Sequence, residues 1–236
     1  MLVLAWDTAT PWLSLALADL GPGAGRLAPF EAQGDGSKSH GRLLASMVNE
    51  TLAQNGLAPA AVDLLAVGLG PGSFTGLRVG LAFAKGLALA LDRPALGLSS
   101  LAVLAGGAGP GLVAPVIDAK HKEIFTALYR VGPGQLEPLT EPVALGPDRL
   151  WPFLEGFRAS GEAVEVVGPG LRLLKGPPTW VALGRDDPPL ALRLAEMAFA
   201  AYGRGELAQR PLVPLYGRSP EIFKTWRPPA RLGEAG

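Results

Sequence analysis

Short apolar runs separated by glycine- and proline-bearing turns organise this chain, and their order predicts alternating strands and helices. Leu2 to Trp6 is an apolar run ending in Asp7. Thr8-Ala9-Thr10-Pro11 supplies turn residues and Leu13 to Ala18 resumes the run, which predicts a strand, a turn and a second strand. Leu27 to Gln33 reads as a third strand. The polar loop Gly34 to Ser39 then leads into a helix with Ser39 as its cap, because Leu43, Leu44, Met47, Val48 and Leu52 recur on one face between His40 and Ala53. Leu64 to Leu69 is a continuous buried-type strand that runs into Gly70-Pro71-Gly72-Ser73-Phe74-Thr75-Gly76, and a long helix follows from about Thr75 to Leu91.

The second half opens as the first does. Val113 to Ile117 is a strand ending in Asp118, the turn Ala119-Lys120-His121-Lys122 follows, and Ile124 to Tyr129 resumes as a strand. Beyond it, Asp148 to Ala159 predicts a helix, Val164 to Val167 a strand meeting Gly168-Pro169-Gly170, and Leu190 to Tyr202 a helix. Pro211, Pro214, Pro220, Pro228 and Pro229 predict an extended end. Two halves with the same opening suggest a duplicated α/β lobe with mixed sheets covered by helices. The expected lobes are residues 1–105 and 106–216, divided at the Gly106–Gly111 stretch, with a tail over 217–236. A single doubly wound sheet is the competing fold; the opening hairpin argues against it, since such sheets begin with a strand, a crossover helix and a parallel strand.

Composition narrows the function. The chain of 236 residues is 48% hydrophobic, enough for a sizeable core. No run reaches the roughly 18–20 uninterrupted apolar residues of a membrane helix. Asp7 falls too early for a secretory signal and no basic segment precedes it, so the expected address is cytoplasmic, away from membranes. The absence of cysteine excludes disulfides, thiolate catalysis and cysteine-based zinc sites. Lys plus Arg and Asp plus Glu each number 21, which argues against a protein built mainly to coat nucleic acid and leaves any RNA role shared or indirect. Only the end departs from neutrality, with six basic residues against two acidic ones between Arg204 and Arg231, in the pattern of a solvated tail.

The glycine loop admits two readings. A strand, glycines and a helix start can cradle an anion, making Asp7, Thr8, Gly70, Gly72, Ser73 and Gly76 a candidate nucleotide or anion cradle; the same glycines serve equally as a tight turn. The loop lacks the Gly-Lys-Ser/Thr ending of a Walker loop, and Ser73 stands where a dinucleotide fingerprint requires glycine. In the following helix Gly76, Gly80, Ala84 and Ala88 form a small-residue stripe, and Arg78 and Lys85 alone interrupt an otherwise apolar surface. With Leu43, Leu44, Met47 and Val48 of the earlier helix, the residues Gly76, Arg78, Gly80, Leu81, Ala84 and Lys85 form a candidate partner interface. His40 and His121, the only histidines, stand far apart, and no serine lies in a nucleophile elbow. No catalytic residue, metal site or cofactor is expected.

The segments Leu2 to Thr10, Ser39-His40, Gly70 to Arg78, Gly97-Leu98-Ser99-Ser100-Leu101 and Ile117-Asp118-Ala119 together resemble the TsaB (YeaZ) family from end to end, most specifically in Gly-Pro-Gly-Ser-Phe-Thr-Gly-x-Arg. The resemblance implies an actin-like, sugar-kinase-like duplicated fold. It also implies a non-catalytic subunit of the complex that makes N6-threonylcarbamoyladenosine (t6A) at position 37 of tRNA, partnered by the catalytic paralogue TsaD and the ATPase TsaE, self-paired when alone, and meeting tRNA through the complex. The paralogue carries a His-x-x-x-His metal pair where this chain has Ser100 and Leu104, and neither a hydroxyl nor an isobutyl group is an adequate ligand there. An enzyme of the same fold, either an ATP-dependent phosphotransferase or a peptidase using Asp7 and the Gly70–Gly76 loop, is the competing function.

Overall fold

The computed structural model describes residues 1–21, 29–33, 37–159, 161–186, 190–205 and 212–217. The opening hairpin is β1 (Leu2–Asp7) and β2 (Trp12–Asp19), antiparallel with Leu4 opposite Leu17 and Trp6 opposite Leu15. β3 (Pro29–Gln33) adds to β2, and helix α1 (Ser37–Gln54) returns the chain to β4 (Leu64–Gly68), parallel to β1. Helix α2 (Phe74–Leu91) then leads to β5 (Ala95–Leu98), parallel to β4, which completes a sheet in the order β3-β2-β1-β4-β5.

Helix α3 (Ser100–Gly106) introduces β6 (Gly111–Lys120), with β7 (Glu123–Thr126) antiparallel beside it. β8 (Tyr129–Gly132) and β9 (Gln135–Pro138) branch from β6, and β10 (Val143–Leu145) pairs with β7. After α4 (Leu150–Glu155), β11 (Val164–Val167) runs parallel to β6 and β12 (Val181–Leu183) parallel to β11, and α5 (Leu190–Gly203) follows. The order β10-β7-β6-β11-β12 repeats the first sheet strand for strand, including which neighbours are antiparallel and which parallel. This is the duplicated two-lobe α/β architecture expected from the sequence.

Strand alternation assigns the layers. Leu4, Trp6, Leu13, Leu15 and Leu17 face α1 and α2, whereas Val3, Ala5, Ala18, Leu64 and Ala66 face the other way, towards α5. That second face is built largely from alanine, and α5 meets it with Ala195, Ala198 and Ala201, so helix and sheet approach closely. The same cluster contains Leu101 and Leu104 of α3 and Val113, Ile117 and Phe125 of the second sheet, so α3 and α5 lie between the two sheets. α4 covers the far side of the second sheet through Leu150 and Leu154. Ser14 of β2 accepts a hydrogen bond from the Ala191 N–H at 2.9 Å, satisfying one of the orphan donors at the start of α5.

Several expectations are corrected. α5 and Leu212 to Leu215 fall within the span assigned to the second lobe, yet α5 packs across β1, β2 and β4, Leu212 joins the core beneath α1 and α2, and the Leu215 N–H bonds the Leu69 carbonyl. The reason is the alanine face, which needs a covering helix that the first lobe does not supply. Ser39 lies inside α1, which begins at Ser37. The run Ile124 to Tyr129 breaks at Ala127-Leu128 into two strands, and the helix from Asp148 shortens to a 3₁₀ turn plus α4, ended by Gly156. β5, α3, β9, β10 and β12 are too short for a periodic signal. The tail over 218–236 lies outside the described residues.

Leu194 of α5 is fully buried between the sheets. Leu194→Ala is therefore expected to destabilise the whole chain by about 2–5 kcal/mol in urea denaturation, with loss of both lobes in one transition. A first lobe that melts independently of this substitution would contradict the shared core.

Candidate functional site

At the carboxyl ends of β1 and β4 the structure brings together all six residues of the candidate cradle; Asp7, Thr8, Gly70 and Gly76 are buried, and Gly72 and Ser73 are half-buried. Asp7 is 1% exposed; its Oδ1 accepts the Ala9 N–H at 2.7 Å and its Oδ2 accepts the Ser100 hydroxyl at 2.6 Å. Ser100 in turn accepts the Gly70 N–H at 3.2 Å, and its own N–H bonds the Gly70 carbonyl. The Ser73 N–H is taken by the Ala9 carbonyl at 2.7 Å, and the Gly76 N–H by the Ser73 side chain that caps α2. Three of the loop's N–H donors, at Gly70, Ser73 and Gly76, are thus already committed within the chain.

Sterics say the same. A Cβ at Gly72 would strike the Ala9 carbonyl, one at Gly76 the Thr8 carbonyl, and one at Gly80 the Thr8 hydroxyl. Thr8 donates from Oγ1 to the Gly76 carbonyl at 2.8 Å, and Trp6 donates from Nε1 to the Gly80 carbonyl at 3.1 Å. Gly70 turns at φ 88°, which favours glycine. Of the two readings of the loop, the geometry favours close packing: Gly72, Gly76 and Gly80 admit the β1–β2 turn.

The same contact sets the rotation of α2. Gly76, Leu77, Gly80, Leu81 and Ala84 face inward and are buried. This corrects the expected interface, since Leu44, Met47 and Val48 are also core residues and Leu43 is half-buried; Arg78 and Lys85 are the members of that set left on the outside. The outward stripe is instead Thr75, Arg78, Ala82, Lys85, Gly86 and Leu89, with Leu89 86% exposed. α2 is long and apolar enough, by length and composition only, to cross a membrane, with a mean hydropathy of 1.4 over 18 residues. On its α1 side a shallow groove is lined by Ala45, Val48, Phe83, Leu87 and Leu91. At its first turn Phe74 stacks on Tyr216 with ring centroids 5.1 Å apart, and the Arg78 guanidinium lies 3.8 Å above the Phe74 ring.

The second-lobe counterparts are also occupied. Lys120, His121 and Lys122 all turn through the left-handed region, at φ 63°, 52° and 63°. Asp118 accepts the Lys120 N–H at 2.8 Å and pairs with the Lys120 ammonium at 3.1 Å and with Arg172 at 3.6 Å. Partial burial pushes its carboxyl up, but that N–H and the two cations outweigh the burial and hold it below the ordinary 3.8. Gly168 and Gly170 close onto the backbone of Val116. Of the positions that the resemblance aligns with the paralogue's metal histidines, Ser100 is spent on Asp7 and Leu104 is 2% exposed within the central core.

The role of Ser100 could not be read from the sequence, because 93 residues separate it from Asp7 and only the fold joins them. The outward stripe of α2 has the helical spacing of a face, but on a helix apolar almost all round that spacing does not say which face is spare.

The family model described as TsaD, tRNA N6-adenosine threonylcarbamoyltransferase, matches residues 34–166. The chain is 30% identical over 201 residues to the tRNA threonylcarbamoyladenosine biosynthesis protein TsaB of Bacillus subtilis, covering 80% of this chain and 84% of that one. It is 38% identical over 134 residues to TsaB of Escherichia coli, where the match spans about half of each chain, 55%. Among solved structures, YeaZ from Pseudomonas aeruginosa superposes with a TM-score of 0.73 at 31% identity, over 91% of this chain and 99% of that one. An activator of 2-hydroxyisocaproyl-CoA dehydratase from Clostridium difficile superposes at 0.53 with 10% identity over 89% of this chain and 99% of that one, a likeness of fold alone.

Two outcomes follow from this geometry. Ser100→Ala removes the acceptor of the Gly70 N–H and a donor to the buried Asp7, so a loss of about 1–3 kcal/mol is expected in denaturant titration; unchanged stability would mean that the closed network is not formed. Asp118 has a depressed pKa, so its stabilising contribution is present above the unfolded value of about 3.9 and is lost as pH falls through the lower folded value. Asp118→Asn should therefore be less stable than wild type by a constant margin above about pH 5, with the gap closing below about pH 3. A gap that widens in acid would reverse the assignment.

Proposed function

The chain belongs to the TsaB (YeaZ) family, within the wider group that the tRNA N6-adenosine threonylcarbamoyltransferase model describes, and from that premise we propose that it is a non-catalytic docking subunit in t6A biosynthesis. In this reading it holds a catalytic paralogue of the TsaD type against the α1–α2 side of its first lobe and contributes shape rather than chemistry. Contact with the ATPase TsaE, self-pairing when the paralogue is absent, and an indirect meeting with tRNA belong to the same proposal.

One observation carries it. The residues of a kinase-like cleft are spent on holding the Thr8–Ala9 turn against α2, while the outward face of that helix, with Ala82, Gly86 and Leu89 beside Arg78 and Lys85, is uncovered among the described residues. A buried Asp7 with both carboxylate oxygens engaged is poorly placed to hold a phosphate-bound magnesium or to move a proton. By contrast, Ala82, Gly86 and Leu89 offer a neighbouring helix small residues for close approach and an apolar side chain to bury.

The test uses the outward stripe, because a bulky side chain at Gly80 would collide with Thr8 and unfold the lobe instead. Leu89→Asp is expected to leave the melting temperature close to wild type and to weaken co-purification with the paralogue by about 30-fold or more, as for a central interface residue. Retention of the complex would place the docking surface elsewhere.

A further inference from the structure

The charges on α2 say what kind of surface fits it. From Phe74 to Leu91 the helix carries two ionisable side chains, Arg78 and Lys85, and no acidic one. Both are exposed, and neither has an ion pair among the described residues. They stand seven residues apart, so they lie almost above one another along the helix, about 10 Å apart at 1.5 Å per residue. Phe83, Leu87 and Leu91 mark the flank of α2 that faces α1. At 100° per residue, Arg78 and Lys85 fall on the flank away from α1, so the exposed Glu50 of α1 lies on the other side of the helix.

Resting on the docking role proposed above, we infer that α2 selects its occupant by charge: the preferred partner is a helix of another chain whose apolar face is flanked by two carboxylates about 10 Å apart, two turns of helix. Covering the stripe withdraws two cations from water, which is costly unless each meets an anion. A partner helix with carboxylates at that spacing pairs both at once and strengthens the encounter at low salt. A second copy of this chain cannot do so in the antiparallel arrangement centred midway between the two cations, at the level of Leu81 and Ala82. There the two-fold axis sets Arg78 of one copy beside Lys85 of the other, like charge against like. Apolar contact alone would admit either partner; the cationic flank favours the acidic one and weakens self-pairing. The guanidinium of Arg78 is held in place on the helix surface, stacked on Phe74 with its Nε 3.4 Å from the Tyr216 hydroxyl.

The experiment compares the full chain with three variants, Lys85→Glu, Arg78→Glu/Lys85→Glu and Leu89→Asp, each first checked by circular dichroism. Affinity for the catalytic paralogue and self-association are measured by sedimentation at 50 and 500 mM NaCl. The wild-type complex with the paralogue should weaken about tenfold or more over that salt range while self-association holds or strengthens. The double reversal should cost the paralogue complex about 100-fold and Lys85→Glu alone a measurable part of that, without dependence on the Phe74 stack. An equimolar mixture of wild type and double reversal should self-associate more tightly than either alone. A paralogue complex lost in Leu89→Asp but unchanged, within about twofold, by salt and by both reversals overturns the charge inference and leaves the docking role standing. A complex that survives Leu89→Asp, or no complex for the wild type, overturns the docking role and this inference with it.

Discussion

The close approach of the Thr8–Ala9 turn to the first turns of α2 is the contact on which the rest of this structure depends. It requires glycine at positions 72, 76 and 80, because any Cβ there would meet the turn's own carbonyl or hydroxyl atoms. It is locked by the Thr8 hydroxyl on the Gly76 carbonyl and by the Trp6 indole on the Gly80 carbonyl. Two consequences follow from one contact. The space at the carboxyl ends of β1 and β4, where folds of this kind commonly place their ligands, is filled by the protein itself. And α2 is fixed in a rotation that buries its small-residue side and leaves Ala82, Gly86 and Leu89 outside.

Asp7 shows how the same residue types serve packing instead of chemistry. An acid at a strand end beside a glycine loop is the arrangement expected of a phosphate site, yet here the carboxylate ties three segments together: its own turn through Ala9, α3 through Ser100, and by way of Ser100 the loop at Gly70. Buried polar networks of this sort specify one arrangement of elements, since each member left unpaired is costly. Lobe two repeats the topology, but its Asp118 is drawn into ion pairs with Lys120 and Arg172 across a turn held in the left-handed region.

Much of the architecture was legible along the chain. The two hairpins, each broken at an acidic residue, announced the duplication, and α1, β4, α2 and α5 stand close to where periodicity put them. Short elements such as β10 and β12, three residues each, were invisible because a period needs more residues than they contain. Allegiance of α5 to the first sheet was hidden too: an alanine-rich helix fits any alanine-lined face, and the strands of that face lie more than a hundred residues upstream. The site was half legible. Composition gathered the right glycines and Asp7, but whether a glycine makes room for a ligand or for a neighbouring carbonyl depends on what the fold brings opposite it, and the facing side of α2 followed from that contact alone.

Closure of the cleft is tested most directly by calorimetric titration of the isolated chain with ATP and magnesium. A filled cleft predicts no saturable heat in the micromolar range. Submicromolar binding that disappears in Asp7→Asn, with the fold intact, would mean that the turn yields to a nucleotide and that the cleft is open.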